Sequence, residues 1–240
     1  MRDFTFYGDL LGIGSAYQLS PRLAYEKLNE FYNTVFTSLF DHTAGNRDLK
    51  VRMISDSVLI WGGQAERILE ELQQIYLKLF RKELLLRGAM VEDRLETDLR
   101  LEDRNFRKFL PKNDTLARAV GLEKTQKGAR LLLSPKLAES LPSQCRDWLT
   151  LDGYMRHPHL EIDIDSILRR ICPTPTGNAY ELLYFWNPQS PTMDYGNEKS
   201  ILSEVAEFLS PDGSVHYRET MKLLRRCEMR DHRTRQLFSA

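Results

Sequence analysis

The chain has 240 residues, 42% of them hydrophobic and 28% charged, which suits a globular protein with one sizeable core or a core plus an appendage. Thirty-four basic residues balance 34 acidic ones, so no net field draws the whole molecule to nucleic acid or to a membrane surface, although local patches remain possible. Cys145, Cys172 and Cys227 are distant in sequence and odd in number, which fits a reducing compartment and argues against a cysteine-based zinc site. The start, Met1-Arg2-Asp3-Phe4, does not read as a signal peptide, and no apolar run approaches the ~18 residues of a membrane span, so the expected location is the cytoplasm.

In chain order, Phe4 to Ile13 reads as a buried strand that carries a single carboxylate, Asp9, and runs into a turn with Gly12 and Gly14. Ser20-Pro21 looks like an N-cap followed by proline at the first helical position. The following helix runs to about Asp41, with Leu28, Phe31, Tyr32, Val35 and Leu39 on one face. After a loop, Lys50 to Trp61 forms two short strands split by a second lone carboxylate, Asp56. Gln64 to Arg81 is an amphipathic helix with Ile68, Leu72, Ile75 and Leu79 inward, and Glu83 to Val91 is apolar enough for a central strand.

Strand, helix, hairpin, helix, strand is the start of a ferredoxin-like arrangement, which predicts an α+β fold with the first strand beside the hairpin. Asp9 and Asp56 then become neighbours. Either Asp alone is accounted for as a turn residue. A pair of carboxylates on adjacent strand ends suits two Mg²⁺ or Mn²⁺ ions on a triphosphate. Glu92 to Asn113 reads as a charged surface excursion, Thr115 to Lys124 as a helix, Ala129 to Leu133 as a strand, and Ser134-Pro135 as the opening of a short helix. A last hairpin is expected from Tyr154–Ile164 and Tyr180–Trp186. From about Asn197 the pattern is helical only, which divides the chain into a body over 1–188 and a helical extension over 189–240.

The ordered motifs resemble the class III nucleotidyl cyclases. Asp9-Leu10-Leu11-Gly12-Ile13 is similar to the family's first-strand motif, and Ser55-Asp56 to its Gly-Asp hairpin, with serine in place of glycine. Leu86-Arg87-Gly88-Ala89-Met90, Leu122-Glu123 and Leu131-Leu132-Leu133-Ser134 follow in the family's order. Three further positions depart from it: the helical Asn and Arg of purine cyclases are Ala117 and Gly121 here, and their base-reading Lys is Arg52. The short form and the Asp-Leu-Leu-Gly start are similar to the pyrimidine cyclases of bacterial Pycsar antiphage systems, which make cyclic UMP or cyclic CMP for a separate effector protein.

The resemblance implies a cyclase that takes UTP, or next CTP, as substrate. It implies two divalent ions (Mn²⁺ or Mg²⁺) held by Asp9, Asp56 and the Leu10 carbonyl, and phosphate contacts from Gly12 and Ile13. It further implies a homodimer with shared sites, in which Arg118 or Lys124 replaces the missing arginine. Arg52 would read the base: it offers only donors, which suits the two carbonyl acceptors of uracil. Leu110 falls where an adenylate cyclase supplies a carboxylate, although Glu102 or Asp103 could fold in.

Two other readings stand beside this one. A non-catalytic cyclase-like module would keep the fold and bind only nucleotide or a partner. A diguanylate cyclase would share the strand order, but its Gly-Gly-Asp/Glu-Glu-Phe hairpin is not Ile54-Ser55-Asp56-Ser57-Val58. His157, His159, Glu161 and Asp163 alternate on one potential strand face and read as a solvated edge or a metal cluster. Trp61 and Trp186 are expected in strands as core. The basic residues from Arg218 to Arg235 read as a solvated or dimer-packing helix face, or as a contact for a phosphate-rich partner; neither stable nucleic-acid binding nor a membrane role is expected.

Overall fold

The computed structural model describes residues 2–45, 48–98, 109–141, 148–149, 170–173, 179–186, 195–207 and 211–238. In chain order the elements are β1 (Phe4–Leu10), α1 (Ile13–Leu19), α2 (Pro21–Gly45), β2 (Lys50–Ile54), β3 (Ser57–Gly62), α3 (Ala65–Phe80) and β4 (Leu86–Glu92). There follow α4 (Thr115–Glu123), β5 (Leu131–Leu133), α5 (Pro135–Ser140), β6 (Trp148–Leu149), β7 (Arg170–Pro173), β8 (Tyr180–Leu182), α6 (Tyr195–Glu207) and α7 (Pro211–Phe238). The strands form a single sheet in the order β2-β3-β1-β4-β5-β8-β7-β6. Its first four strands, with β1 antiparallel to both β3 and β4, are the ferredoxin-like core of an α+β fold.

Alternation along β1 explains the two faces of this core. Phe4, Phe6 and Leu10 join Val58, Ile60, Leu86 and Met90 in one apolar cluster with Phe31, Val35 and Leu39 of α2 and Ile68, Leu72 and Ile75 of α3. Thr5, Tyr7 and Asp9 point to the other face. There α4 packs on β1 and β4. On this second face Lys50, Arg52 and Ile54 of β2 are exposed.

One detail of β1 and β4 accounts for two glycines. Gly8 and Gly88 are cross-strand partners. A Cβ on Gly88 would come within 2.8 Å of the Phe6 ring and of the Tyr7 carbonyl oxygen, and one on Gly8 within 2.9 Å of the same ring. The fully buried Phe6 ring thus lies over the glycine pair.

The structure departs from the sequence reading in several places. β1 stops at Leu10 because Gly12 adopts a left-handed φ of 86° and turns the chain into α1, so Ile13 opens a helix instead of closing a strand. The partners of β8 are β5 and β7, and Tyr154–Ile164 lies outside the described residues. Trp186 is core, as expected, but sits in the turn after β8, with the Arg230 guanidinium 5.6 Å from its ring centroid. The helical C-terminus is present, and it shares the core of the body: Leu202, Leu223, Leu224 and Cys227 belong to the same apolar cluster as Phe4 and Phe6. Buried Glu181 on β8 pairs with Arg130 on one side and with Arg226 of α7 on the other, while the Ala129 N–H donates to Thr220 Oγ1 at 2.8 Å. Among the described residues, no helix is long and apolar enough to cross a membrane.

Replacing Gly88 by alanine is expected to cost about 1–3 kcal/mol, because the new methyl must displace a fully buried ring or a strand carbonyl. Equilibrium denaturation checks this; an unchanged midpoint would refute the packing of Phe6 over the pair.

Candidate functional site

The site begins where β1 ends. Asp9 faces Ser57 on β3 and Arg87 on β4, and is half-buried between them. One step on, the Leu10 N–H donates to the Asp56 carbonyl at 2.8 Å, fixing the hairpin turn against the end of β1. That turn has only two residues, Ser55 and Asp56, between the paired Ile54 and Ser57. Ser55 holds a left-handed φ of 54°, the conformation that glycine takes most easily. The serine accepts the strain, and Asp56 still meets β1.

The electrostatics follow from this placement. Burial raises the Asp9 pKa above the ordinary carboxylate range, and the charge of Asp56 raises it further. The Ser57 hydroxyl, 3.1 Å from Asp9 Oδ1, and the charges of Arg87 and Lys124 offset the rise only in part. Tyr7 shares a 3.1 Å hydrogen bond with Ser57, giving a chain of Tyr7, Ser57 and Asp9. Tyr32 reaches the turn from α2; burial and the Asp56 charge raise its phenol pKa, against a hydrogen bond with the Ser55 backbone.

Beneath Asp9 lies an ion pair between Arg87 and Glu123, the last residue of α4, whose side chain is 1% exposed. Burial raises the Glu123 pKa, Arg87 pulls it back, and the charge of Asp9 adds to the rise. The Leu-Glu and Arg-x-Gly motifs were visible as separate matches. Their meeting as one buried pair beside Asp9 is a tertiary fact. Sequence reading also missed Tyr7, Ser57 and Tyr32; the alternation that puts Tyr7 on the Asp9 face is the signal that could have found the first.

The remaining candidates are spread out. Gly12 is exposed at the N-terminal end of α1, with open space around a notional Cβ, while the Ile13 side chain is buried. Arg52 lies on the same sheet face as Asp9, two strands away, with its guanidinium 4.8 Å from the Phe109 ring centroid. Trp61 flanks that ring at 6.2 Å. Arg118 is not beside Asp9 in its own chain: it pairs with Glu92, Asp93 and Asp114. Glu92 faces Phe4, five residues along β1 from Asp9, which is about 17 Å at the usual strand rise. Lys124, by contrast, acts electrostatically on Asp9. Ala117 and Gly121 are exposed on α4 and bring no polar side chain. His157, His159, Glu161, Asp163, Glu102 and Asp103 lie outside the described residues.

Among the described residues no group of three or more His, Cys, Asp or Glu side chains gathers as a metal centre. Asp9 and Asp56 form a pair only. Their hard oxygens, and a repulsion that a cation would relieve, fit a divalent ion that takes its other ligands from backbone, water or phosphate.

No family model matches the chain. No curated protein matches it either. Among solved structures, adenylate cyclases from Trypanosoma brucei share 11% identity over 60% of this chain and 77% of theirs, with a TM-score of 0.49. The guanylyl cyclase Cya2 shares 13% over 58% of this chain and 77% of its own, with a TM-score of 0.48. A monomeric guanylyl cyclase domain of the RhoGC fusion protein from the fungus Blastocladiella emersonii shares 16% over 76% of this chain and 94% of its own, with a TM-score of 0.44. At these identities and scores, nothing about substrate or mechanism follows from them.

The raised Asp9 pKa carries a stability consequence with a definite sign. Folding disfavours its charged form, so the penalty is full above the folded pKa, fades as pH falls from there toward the unfolded value of about 3.9, and is gone below it. In a metal chelator, Asp9→Asn is therefore expected to raise the melting temperature at pH 7, with the gain shrinking toward zero near pH 4. A variant less stable than wild type at pH 7 would contradict the electrostatic account.

Proposed function

We propose that this chain is a class III-type nucleotidyl cyclase that converts a pyrimidine nucleoside triphosphate, UTP ahead of CTP, to its 3′,5′-cyclic monophosphate and pyrophosphate. The observation that carries the reading is the juxtaposition of Asp9 and Asp56 at the end of β1 and the β2–β3 turn. It is supported by the ordered set of motifs from Asp9 to Ser134. In the reaction, the ribose 3′-oxygen bonds to the α-phosphorus while the bond from that phosphorus to the bridging oxygen of pyrophosphate breaks. The hydroxyl proton passes to solvent.

Asp9, Asp56 and the Leu10 carbonyl would hold two Mg²⁺ or Mn²⁺ ions, which supply the positive charge that acidifies the 3′-hydroxyl and steadies pyrophosphate. The chain's own residues arrange the rest. Backbone amides at Gly12 and Ile13 approach the phosphates, which the exposed, Cβ-free turn permits. Arg52, already stacked on Phe109, directs donors at the carbonyl edge of uracil. An amino group placed there instead would lack an acceptor, at a cost of about 1–3 kcal/mol.

Two chains complete two sites in this proposal. Arg118 would then reach the triphosphate held by a partner chain, exchanging its ties to Glu92, Asp93 and Asp114 for phosphate oxygens; Lys124 is the alternative cation. The cyclic product would act on a separate effector protein in antiphage defence, inside the cytoplasm. A second reading, a cyclase-like module that binds nucleotide without turnover, is favoured by one observation: Ala117 and Gly121 stand where the family carries its transition-state Asn and Arg.

Incubation of the purified protein with each of the four nucleoside triphosphates and Mn²⁺, followed by mass spectrometry, separates these readings. Cyclic UMP is the expected main product, and Asp9→Ala or Asp56→Ala should each lower its rate more than about a hundredfold. UTP binding without any cyclic product would favour the module. A preference for ATP over UTP would overturn the base assignment. Mixing Asp56→Ala chains with Arg118→Ala chains should restore part of the activity; mixed dimers without restoration would overturn the sharing of sites.

A further inference from the structure

Among the described residues, the cations of the C-terminal helix α7 fall into two groups. Those facing the sheet have structural work: Arg226 pairs with buried Glu181, and Arg230 covers Trp186. On another face, Arg218, Lys222 and Arg225 follow one another at helical spacing along the rim of a cavity of about 330 Å³ between α6 and α7. Its floor is apolar, made of Leu202 from α6 and Tyr217 and Met221 from α7, and Ser203 adds a hydroxyl at the edge.

Lys222 is shared with Glu219 at 2.5 Å, but among the described residues neither Arg218 nor Arg225 has a carboxylate partner. Arg218 and Arg225 flank the paired Lys222 at about one helical turn on either side, which leaves two guanidinium groups on the rim to meet an anion. Burial pushes the Tyr217 phenol up to about 12, so the floor stays neutral at physiological pH.

We propose that this cavity is a second ligand site that takes a mononucleotide, separate from the Asp9–Asp56 site and independent of whether that site turns over substrate. The planar guanidinium groups of Arg218 and Arg225 match the paired oxygens of a phosphate. Tyr217 and Met221 offer an aromatic ring and a polarisable thioether to a base. The volume lies at the small end of ligand cavities, enough for one nucleotide.

The test is calorimetric titration of the full chain with UMP in excess EDTA, where metal-dependent binding at Asp9 and Asp56 is suppressed. One UMP is expected to bind per chain, and equally well in Asp9→Asn. Arg218→Gln/Arg225→Gln should weaken it at least about tenfold with an unchanged melting temperature, and Met221→Ala should weaken UMP while leaving inorganic phosphate unaffected. No UMP binding, binding undiminished in the double variant, or uridine binding as tightly as UMP would each overturn the proposal. So would inorganic phosphate matching UMP, which would leave an anion patch only, or a single-stranded oligonucleotide far exceeding it per site, which would make the helix a polymer surface. Loss of UMP binding in Asp9→Asn would place the ligand in the first site and defeat the second.

Discussion

The backbone bond from the Leu10 N–H to the Asp56 carbonyl is the constraint on which the rest of the candidate site depends. It exists because β1 and β3 pair in a register that ends at Asp9 and Ser57, and that register is enforced by side chains on the other face. A slip of one residue would turn Phe4, Phe6 and Leu10 out of the core and Asp9 into it. The core therefore pays for the approach of two carboxylates that repel each other. The raised pKa of Asp9 is the electrostatic mark of that approach.

The same constraint organises the neighbourhood. Arg87, opposite Asp9 on β4, cannot neutralise it fully because it is committed to the nearly inaccessible Glu123 at the end of α4. That pair ties α4 to the sheet and leaves a cation beside Asp9 without closing its outer side. On the far side of β4, a second buried carboxylate, Glu181, is clasped by Arg130 and Arg226, which joins β8 to α7. Unpairing either carboxylate in place would leave a buried charge without its cation, which is strongly destabilising. The C-terminal helices are thus held to the body by ionic as well as apolar contacts.

Much of this was legible in the sequence, for physical reasons that differ from element to element. The inward faces of α2 and α3 followed from a helical period unbroken by glycine or proline, and the β2–β3 hairpin from two apolar runs around a single carboxylate. The adjacency of Asp9 and Asp56 followed from topology alone. What failed depended on local dihedral choice or long-range pairing. The end of β1 is set by the left-handed Gly12, and an apolar run cannot reveal where its backbone turns. Trp186 reads as a strand residue, yet it sits in a turn because its ring fills the core beneath Arg230. Neither the Arg87–Glu123 pair nor the confinement of Arg118 by Glu92 could be read, since both join residues more than 25 positions apart.

The central claim is that Asp9 and Asp56 act together as a cation-binding pair for a nucleotide. Electron paramagnetic resonance of free Mn²⁺, titrated against the protein with a non-cleavable UTP analogue, measures this directly. The account predicts that wild type removes up to two Mn²⁺ per chain from the free signal in the presence of the analogue, and that Asp9→Asn/Asp56→Asn removes none beyond what the analogue alone binds. Equal Mn²⁺ uptake by wild type and the double variant would contradict it.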